Sequence, residues 1–207
     1  MFITLEGPEG SGKTSHMHPL SEWLESQGRL VLCTREPGGT AISEQVRTII
    51  HDLKNQEMHP HTETLLYQAA RAQIVEQIIR PSLQRGVIVL CDRYADSTLA
   101  YQGYGHQQDL AQVGALIQYA TGGLQPDLTL LLDLDVEVGL KRSSQRHNKG
   151  GEWNRLDAYD LAFHQRVRQG YMELVKADPG RWVVVNAEQA WQAVQSELRQ
   201  VISDRLK

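Results

Sequence analysis

The sequence predicts an α/β fold, a five-stranded parallel sheet with helices on both faces. Short β-type runs alternate with amphipathic helical stretches along the whole chain. The runs are apolar almost without interruption, as in Val87-Ile88-Val89-Leu90-Cys91, the pattern of parallel strands covered on both sides. Several helical stretches stop at glycine or at Pro-Gly, as helix ends do.

Taken in order, the first strand is Phe2–Glu6, followed by a helix over Lys13–Gln27 that Gly28 ends. A strand over Leu30–Thr34 leads to a helix over Ala41–Leu53. A long helix over Thr62–Gln84 stops at Gly86, and the strand Val87–Cys91 follows. The helix Asp109–Thr121 ends at Gly122-Gly123 and gives way to the strand Leu128–Asp133. Helices over Val136–Arg146 and Leu156–Ala177 come next, the latter stopped by Pro179-Gly180. The strand Trp182–Asn186 and a helix over Ala190–Leu206 close the chain. Between two helices, His147-Asn148-Lys149-Gly150-Gly151-Glu152-Trp153-Asn154 is polar, glycine-bearing and aperiodic, which predicts a short lid over about residues 142–155. No repeat or low-complexity linker interrupts residues 1–207, so a single domain is expected.

Composition narrows the function. With 41% hydrophobic and 22% charged residues in 207, the chain has enough apolar material for a sizeable core. A net charge of -4 argues against a bulk electrostatic grip on nucleic acid or an anionic membrane, so any bound anion needs a local site. Cys33 and Cys91 form no disulfide framework and lie in strand runs, which predicts buried, inert thiols in a reducing cytoplasm. Met1 is followed almost at once by a strand, without a leader pattern or a run able to span a membrane, and a cytoplasmic protein is expected. His16/His18 and His59/His61 tempt a metal reading. The spacing of the first pair divides it between helix faces, and no ligand set completes a site, so solvated histidines are expected.

Gly7-Pro8-Glu9-Gly10-Ser11-Gly12-Lys13-Thr14 is a complete G-x-x-x-x-G-K-[ST] phosphate loop between a strand and a helix. Its glycines let backbone N–H groups and the helix N-terminus close around phosphate. Lys13 is then expected at the β- and γ-phosphates and Thr14 at Mg²⁺, which makes the fold P-loop NTPase-like and ATP its co-substrate. The loop alone does not separate a phosphotransferase from a nucleotide switch. A guanine-specific switch would carry N/T-K-x-D, and the nearest string, Asn148-Lys149-Gly150-Gly151, has glycine in place of the aspartate.

Asp92-Arg93-Tyr94-Ala95-Asp96-Ser97-Thr98-Leu99-Ala100-Tyr101-Gln102-Gly103, straight after a strand, resembles the signature segment of thymidylate kinases. Arg35-Glu36-Pro37-Gly38-Gly39-Thr40 resembles the family's loop after the second strand, and Tyr67-Gln68-Ala69-Ala70-Arg71 its base-binding helix. Pro126-Asp127-Leu128-Thr129 through Val138-Gly139-Leu140-Lys141-Arg142 resembles its fourth strand and the approach to its lid. The resemblance spans essentially the whole chain in order. It implies transfer of the γ-phosphate of ATP to dTMP with Mg²⁺, and a homodimer. Another nucleoside monophosphate or deoxynucleoside kinase is the nearest alternative, and a P-loop switch is the alternative from another class.

The chemistry of the residues points the same way. A nucleoside monophosphate is already close to doubly ionised at neutral pH, so it needs no general base. It needs planar cationic clamping to hold two repelling phosphates in line. Arg93 stands at the carboxyl end of a strand, where open α/β sheets place ligands. By resemblance Arg93 touches the acceptor phosphate and the transferred group, and Arg47 is the matching clamp. Glu36, Pro37 and Ser97 join the acceptor site through the segments that carry them. Tyr67 and Arg71 share one helix face. In the family pattern the aromatic stacks on thymine and the arginine donates to a base carbonyl. Phenylalanine is commoner at that position, so Tyr67 departs mildly from the pattern. Thr98 matches the position at the base edge, and Tyr101 the tyrosine near C2′.

Asp92 is the best carboxylate for organising Mg²⁺ or orienting arginines. Asp133 is a weaker candidate, with helix capping as the competing role. Glu9 should turn towards the acceptor side. Some thymidylate kinases carry a basic residue in the phosphate loop, whereas others draw an arginine from the lid, and here Glu9 stands in a loop without arginine. The lid must then supply the catalytic arginine, with Arg146 first, Arg142 second and Arg155 also in range.

Overall fold

A computed structural model describes residues 1–151 and 153–207. Its five-stranded parallel sheet has the order β2-β3-β1-β4-β5, formed by β1 (Phe2–Glu6), β2 (Val31–Arg35), β3 (Ile88–Asp92), β4 (Leu128–Asp133) and β5 (Trp182–Asn186). The predicted strands are all present. The second and third are displaced by one residue, which brings Asp92 into β3.

Side chains alternate across the sheet, and the two faces build separate cores. Ile3, Leu5, Leu130 and Leu132 face α1 (Lys13–Ser26) and α9 (Trp191–Arg205), meeting Leu20, Leu24, Val194 and Leu198. On the other face, Leu131 and Trp182 pack with Val167 and Tyr171 of α8 (Leu161–Ala177), while Phe2 and Val89 pack against Ile74 and Ile79. Cys91 is buried as expected. Cys33 is exposed, because β2 lies at the sheet edge.

α2 (Ala41–His51) starts at Thr40, whose hydroxyl caps the Ser43 N–H. The long predicted helix is divided. α3 (Pro60–Ile74) begins with proline at its first position and widens into a π segment over Val75–Ile79 before α4 (Arg80–Gln84). Pro81, inside α4, lacks an N–H and its ring crowds the carbonyl four residues back, which a widened turn relieves. A second departure follows β3, where α5 (Ala95–Thr98) runs directly into a π segment over Leu99–Gly105. A Cβ at Gly105 would meet the Phe163 ring at 2.7 Å, so glycine permits α8 to close on this segment. α6 (Leu110–Thr121) ends at Gly122, and α7 (Val136–His147) is capped by Asp135. The helix predicted from Leu156 begins only at Leu161, preceded by a 3₁₀ turn over Arg155–Ala158 that Asn154 and Asp157 close as a capping box.

Candidate active site

The loop after β1 and the loop after β3 emerge side by side, because β1 and β3 are neighbours with Leu5 opposite Asp92. A cleft of about 620 Å³ opens there, at the carboxyl ends of the strands. Gly10, Gly12, Lys13 and Thr14 line one end, Tyr67, Arg71, Thr98 and Tyr101 the other, and Arg93 lies between them.

At the phosphate-loop end, a Cβ on Gly7 would collide with the Leu132 carbonyl, and one on Gly10 with the backbone of Gly139. Both positions also have positive φ, so only glycine lets the loop pack between β4 and α7. Lys13 is buried, and its ammonium donates to Gly7 O, Pro8 O and Ser11 Oγ at 3.0, 3.0 and 3.1 Å. Burial first, then repulsion from Arg93, pulls this ammonium down to about 8 against the attraction of Glu9 and Asp92. Gly7, Pro8 and Ser11 stand behind the cleft as supports for that lysine. Thr14 Oγ1 donates to Asp92 Oδ2 at 2.6 Å, which joins the two candidate metal-site oxygens. A hydroxyl and a carboxylate are hard oxygen donors that suit Mg²⁺ shared with phosphates. Among the described residues there is no cluster of three or more His, Cys, Asp or Glu for a metal held by protein alone.

Arg93 adopts left-handed backbone, φ 68°, which is costly for a residue with a side chain. Its Nη1 donates to Gly7 O, Ser97 Oγ and Tyr171 Oη at 3.1, 3.3 and 3.2 Å, and its Nη2 to Glu9 Oε1 and Tyr101 Oη at 2.7 and 3.0 Å. Glu9 therefore turns towards Arg93 and Tyr101, away from Lys13's loop contacts.

At the end of the cleft away from the phosphate loop, Arg71 is 1% exposed and makes four hydrogen bonds: Nε to Glu36 Oε2 at 2.7 Å, Nη1 to Gln68 Oε1 and Thr98 Oγ1 at 3.0 and 2.9 Å, and Nη2 to Tyr94 O at 3.0 Å. Of the five N–H bonds of a guanidinium, one on Nη2 is left for a ligand. Burial raises the Glu36 carboxyl despite Arg71 beside it. Glu36 and Pro37 line the cleft, and Arg47 lines it too, with Nη1 donating to Pro37 O at 3.1 Å. Tyr67 is half-buried, one helical turn from Arg71, and burial pushes its hydroxyl well up.

The lid arginines part company. Arg146 is exposed and lines the cleft, with Nη2 on Ser143 Oγ at 3.3 Å. Arg142 lines it as well, but Nη1 donates to Ala187 O at 2.8 Å, tying α7 to the end of β5. Arg155 is buried against Glu63, and its Nε donates to Ile50 O at 3.1 Å. No local pattern announces that partner, which lies 92 positions away. Burial would raise the Glu63 carboxyl, but hydrogen bonding from His106 and the charge of Arg155 hold it at about 2.

Asp133 is neither a helix cap nor near the cleft: it accepts from Arg168 Nε and Nη2 at 2.8 and 2.9 Å, and the cap is Asp135. His16 is not solvated. It is 3% exposed, bonds Gln195 Oε1 through Nδ1 at 2.7 Å, and stacks on Trp191. Sequence reasoning missed Gln68 and Gln102, which bear on the acceptor wall. Gln68 is three residues from Arg71 and was readable from helical spacing, whereas Gln102 enters through a π segment that no periodicity announces.

A family model described as Thymidylate kinase matches residues 5–198. A thymidylate kinase of Roseiflexus castenholzii is 49% identical over 215 residues, covering 100% of this chain and 94% of that one. One from Deinococcus radiodurans is 46% identical over 205 residues, covering 99% and 97%. Among solved structures, thymidylate kinase from Ehrlichia chaffeensis superposes with a TM-score of 0.78 at 35% identity over 98% of both chains.

Proposed function

This chain belongs to the thymidylate kinase family and is a phosphotransferase, and from that premise we propose that it transfers the γ-phosphate of ATP to dTMP, giving ADP and dTDP. The observation that carries the reading is the position of Arg93. One guanidinium touches Gly7 and Glu9 of the donor loop and Tyr101 of the acceptor wall, where two phosphates must meet.

In this reading an oxygen of the dTMP phosphate forms the new bond to the γ-phosphorus as the bond from that phosphorus to the β,γ-bridging oxygen breaks, and ADP leaves. The acceptor is already ionised, so no residue has to remove a proton. Lys13 exchanges its three loop contacts for the β- and γ-phosphates while the loop amides hold the remaining oxygens. Thr14 and Asp92 would hold Mg²⁺, which when bound offsets the charge of the β- and γ-phosphates. Arg93 and Arg47 hold the acceptor phosphate against the repulsion of the donor. Tyr67 offers the base a flat face, Arg71 directs its remaining N–H to it, and Tyr101, pinned by Glu9 at 2.8 Å, fills the space beside the sugar. Arg146 reaches the transferring group as the lid over about 142–155 closes, when charge spreads over its oxygens.

The same reading takes residues 1–207 as one kinase domain working in the cytoplasm, and no helix among the described residues is long and apolar enough to cross a membrane. It also takes the protein as a homodimer. α2, α3 and α6, which pack side by side, leave Ile42, Ile49, Leu65 and Leu110 exposed.

The test is a coupled ADP-release assay with dTMP, dUMP, dCMP and thymidine as acceptors, alongside sedimentation of the free protein. Turnover favouring dTMP is expected. No ADP released with dTMP, or equal turnover of every acceptor, would overturn the assignment.

A further inference from the structure

Beneath Arg93, two fully buried side chains, Glu6 and Tyr171, meet Ser97 of the cleft wall, and phosphoryl transfer as described uses neither of the two. Glu6 ends the otherwise apolar or hydroxyl-bearing strand β1 and is 0% exposed. A carboxyl in such a place costs several kcal/mol unless hydrogen bonds offset it, and an apolar residue would stabilise the sheet more. Both of its oxygens are used. Oε1 accepts from the Tyr94 N–H at 2.8 Å, and Oε2 accepts from Ser97 Oγ at 2.5 Å and Tyr171 Oη at 2.9 Å. Those two hydroxyls, 2.9 Å apart, also accept from Arg93 Nη1, which donates to Gly7 O as well.

The order of donation matters. An ionised carboxylate has no proton to give, so each hydroxyl spends its own on Glu6 and turns its lone pairs to the guanidinium. Glu6 also fixes the N–H of the residue after Arg93, and so braces the left-handed backbone that aims the side chain. Without the carboxylate, Ser97 and Tyr171 would rotate freely and Arg93 would regain torsional freedom.

We propose that Glu6 and Tyr171 are positioning residues for Arg93, presetting its guanidinium at the junction of the two phosphate sites before either nucleotide binds. The proposal rests on the reading of Arg93 given above. Neither residue touches the reacting atoms. Both act by removing the reorganisation that Arg93 would otherwise undergo on the way to the transition state.

A merely structural role for Tyr171, joining α8 to the sheet, would change stability and leave turnover by folded enzyme intact. The test is therefore kcat and KM for both substrates, with thermal unfolding in parallel, for Tyr171→Phe, Glu6→Gln, the double variant and Arg93→Ala in the full chain. Assays at about pH 7.5 keep most of wild-type Glu6 ionised and most of Lys13 charged. Tyr171→Phe and Glu6→Gln are expected to lower kcat on the order of ten- to a hundredfold, with KM for ATP within about twofold of wild type. The double variant is expected to fall no further than the worse single one, because both act through one arginine. Wild-type kcat in both single variants, whatever their unfolding temperatures, would overturn the proposal, as would losses confined to KM. Should Glu6→Gln fail to fold, Tyr171→Phe decides by the same criteria. Wild-type kcat in Arg93→Ala would instead overturn the reading of Arg93 itself.

Discussion

Glu9 of the phosphate loop and Arg93 after β3 form an ion pair, Oε1 to Nη2 at 2.7 Å, that ties the loop after β1 to the loop after β3. Burial would raise the Glu9 carboxyl, but the charges of Arg93 and then Lys13, with the Tyr101 hydroxyl, hold it at about 2. It is therefore ionised across the working range. Glu9→Ala should lower kcat on the order of tenfold or more, because Arg93 and Tyr101 lose a shared anchor. Stability should also fall, on the order of 2–3 kcal/mol, since both side chains are largely buried and Arg93 loses a charge partner. Steady-state kinetics check this, and unchanged kcat would show that Arg93 holds its place without Glu9.

Arg146 near the end of α7 and Arg155 in the 3₁₀ turn that follows stand close in sequence, and their substitution should have opposite signatures. Arg146→Ala is expected to lower kcat on the order of a thousandfold with modest change in KM and unfolding temperature. Arg155→Ala leaves the buried Glu63 without its main charge partner, and should cost about 3–5 kcal/mol of stability. Kinetics and calorimetry on the two variants separate the roles. A stable, slow Arg155→Ala enzyme beside a normal Arg146→Ala enzyme would reverse the assignment.

Arg71→Ala should raise KM for dTMP far more than KM for ATP, since on the proposed placement it removes a donor at the base and leaves the phosphate loop alone. It should also lower the unfolding temperature, because Glu36, 5% exposed, loses the guanidinium that faces it. Equal rises in both KM values would contradict the placement of the base.

Glu6 gives a pH dependence of known sign. Burial first, then repulsion from Asp96, raises its carboxyl from 4.5 to about 7 against Arg93 and the two hydroxyls. An acid whose folded value is raised contributes stability that is fully present below about 4.5 and is lost as pH rises through about 7. The loss is on the order of 3 kcal/mol. Glu6→Gln has no such titration, so its unfolding temperature relative to wild type should climb between about pH 4.5 and 7 and then level off. A gap that stays constant over that range would show that Glu6 is ionised in the fold at all of these values.

Local features carried most of the fold and much of the site in the sequence itself. The apolar runs gave the five strands, most strongly β1, β3 and β4, which are buried on both faces and leave little room for polar residues. The glycines of Gly7-Pro8-Glu9-Gly10-Ser11-Gly12-Lys13-Thr14 and the residues beside Arg93 were legible for a related reason: backbone geometry and phosphate chemistry restrict which types fit at a fixed spacing.

What the sequence could not carry are partnerships between distant residues and interruptions of regular geometry. Glu6 meets Tyr171 across 165 positions, and Arg155 meets Glu63 across 92, so neither pair leaves a local pattern to read. The π segments over Val75–Ile79 and Leu99–Gly105 break the helical period that locates residues on a face, which hid Gln102 on the acceptor wall. Arg142, Arg146 and Arg155 look alike as charged residues near a glycine-bearing loop. Only packing separates them, because an arginine's role depends on which acceptors surround its guanidinium, and the fold brings those acceptors from α3, β5 and α7.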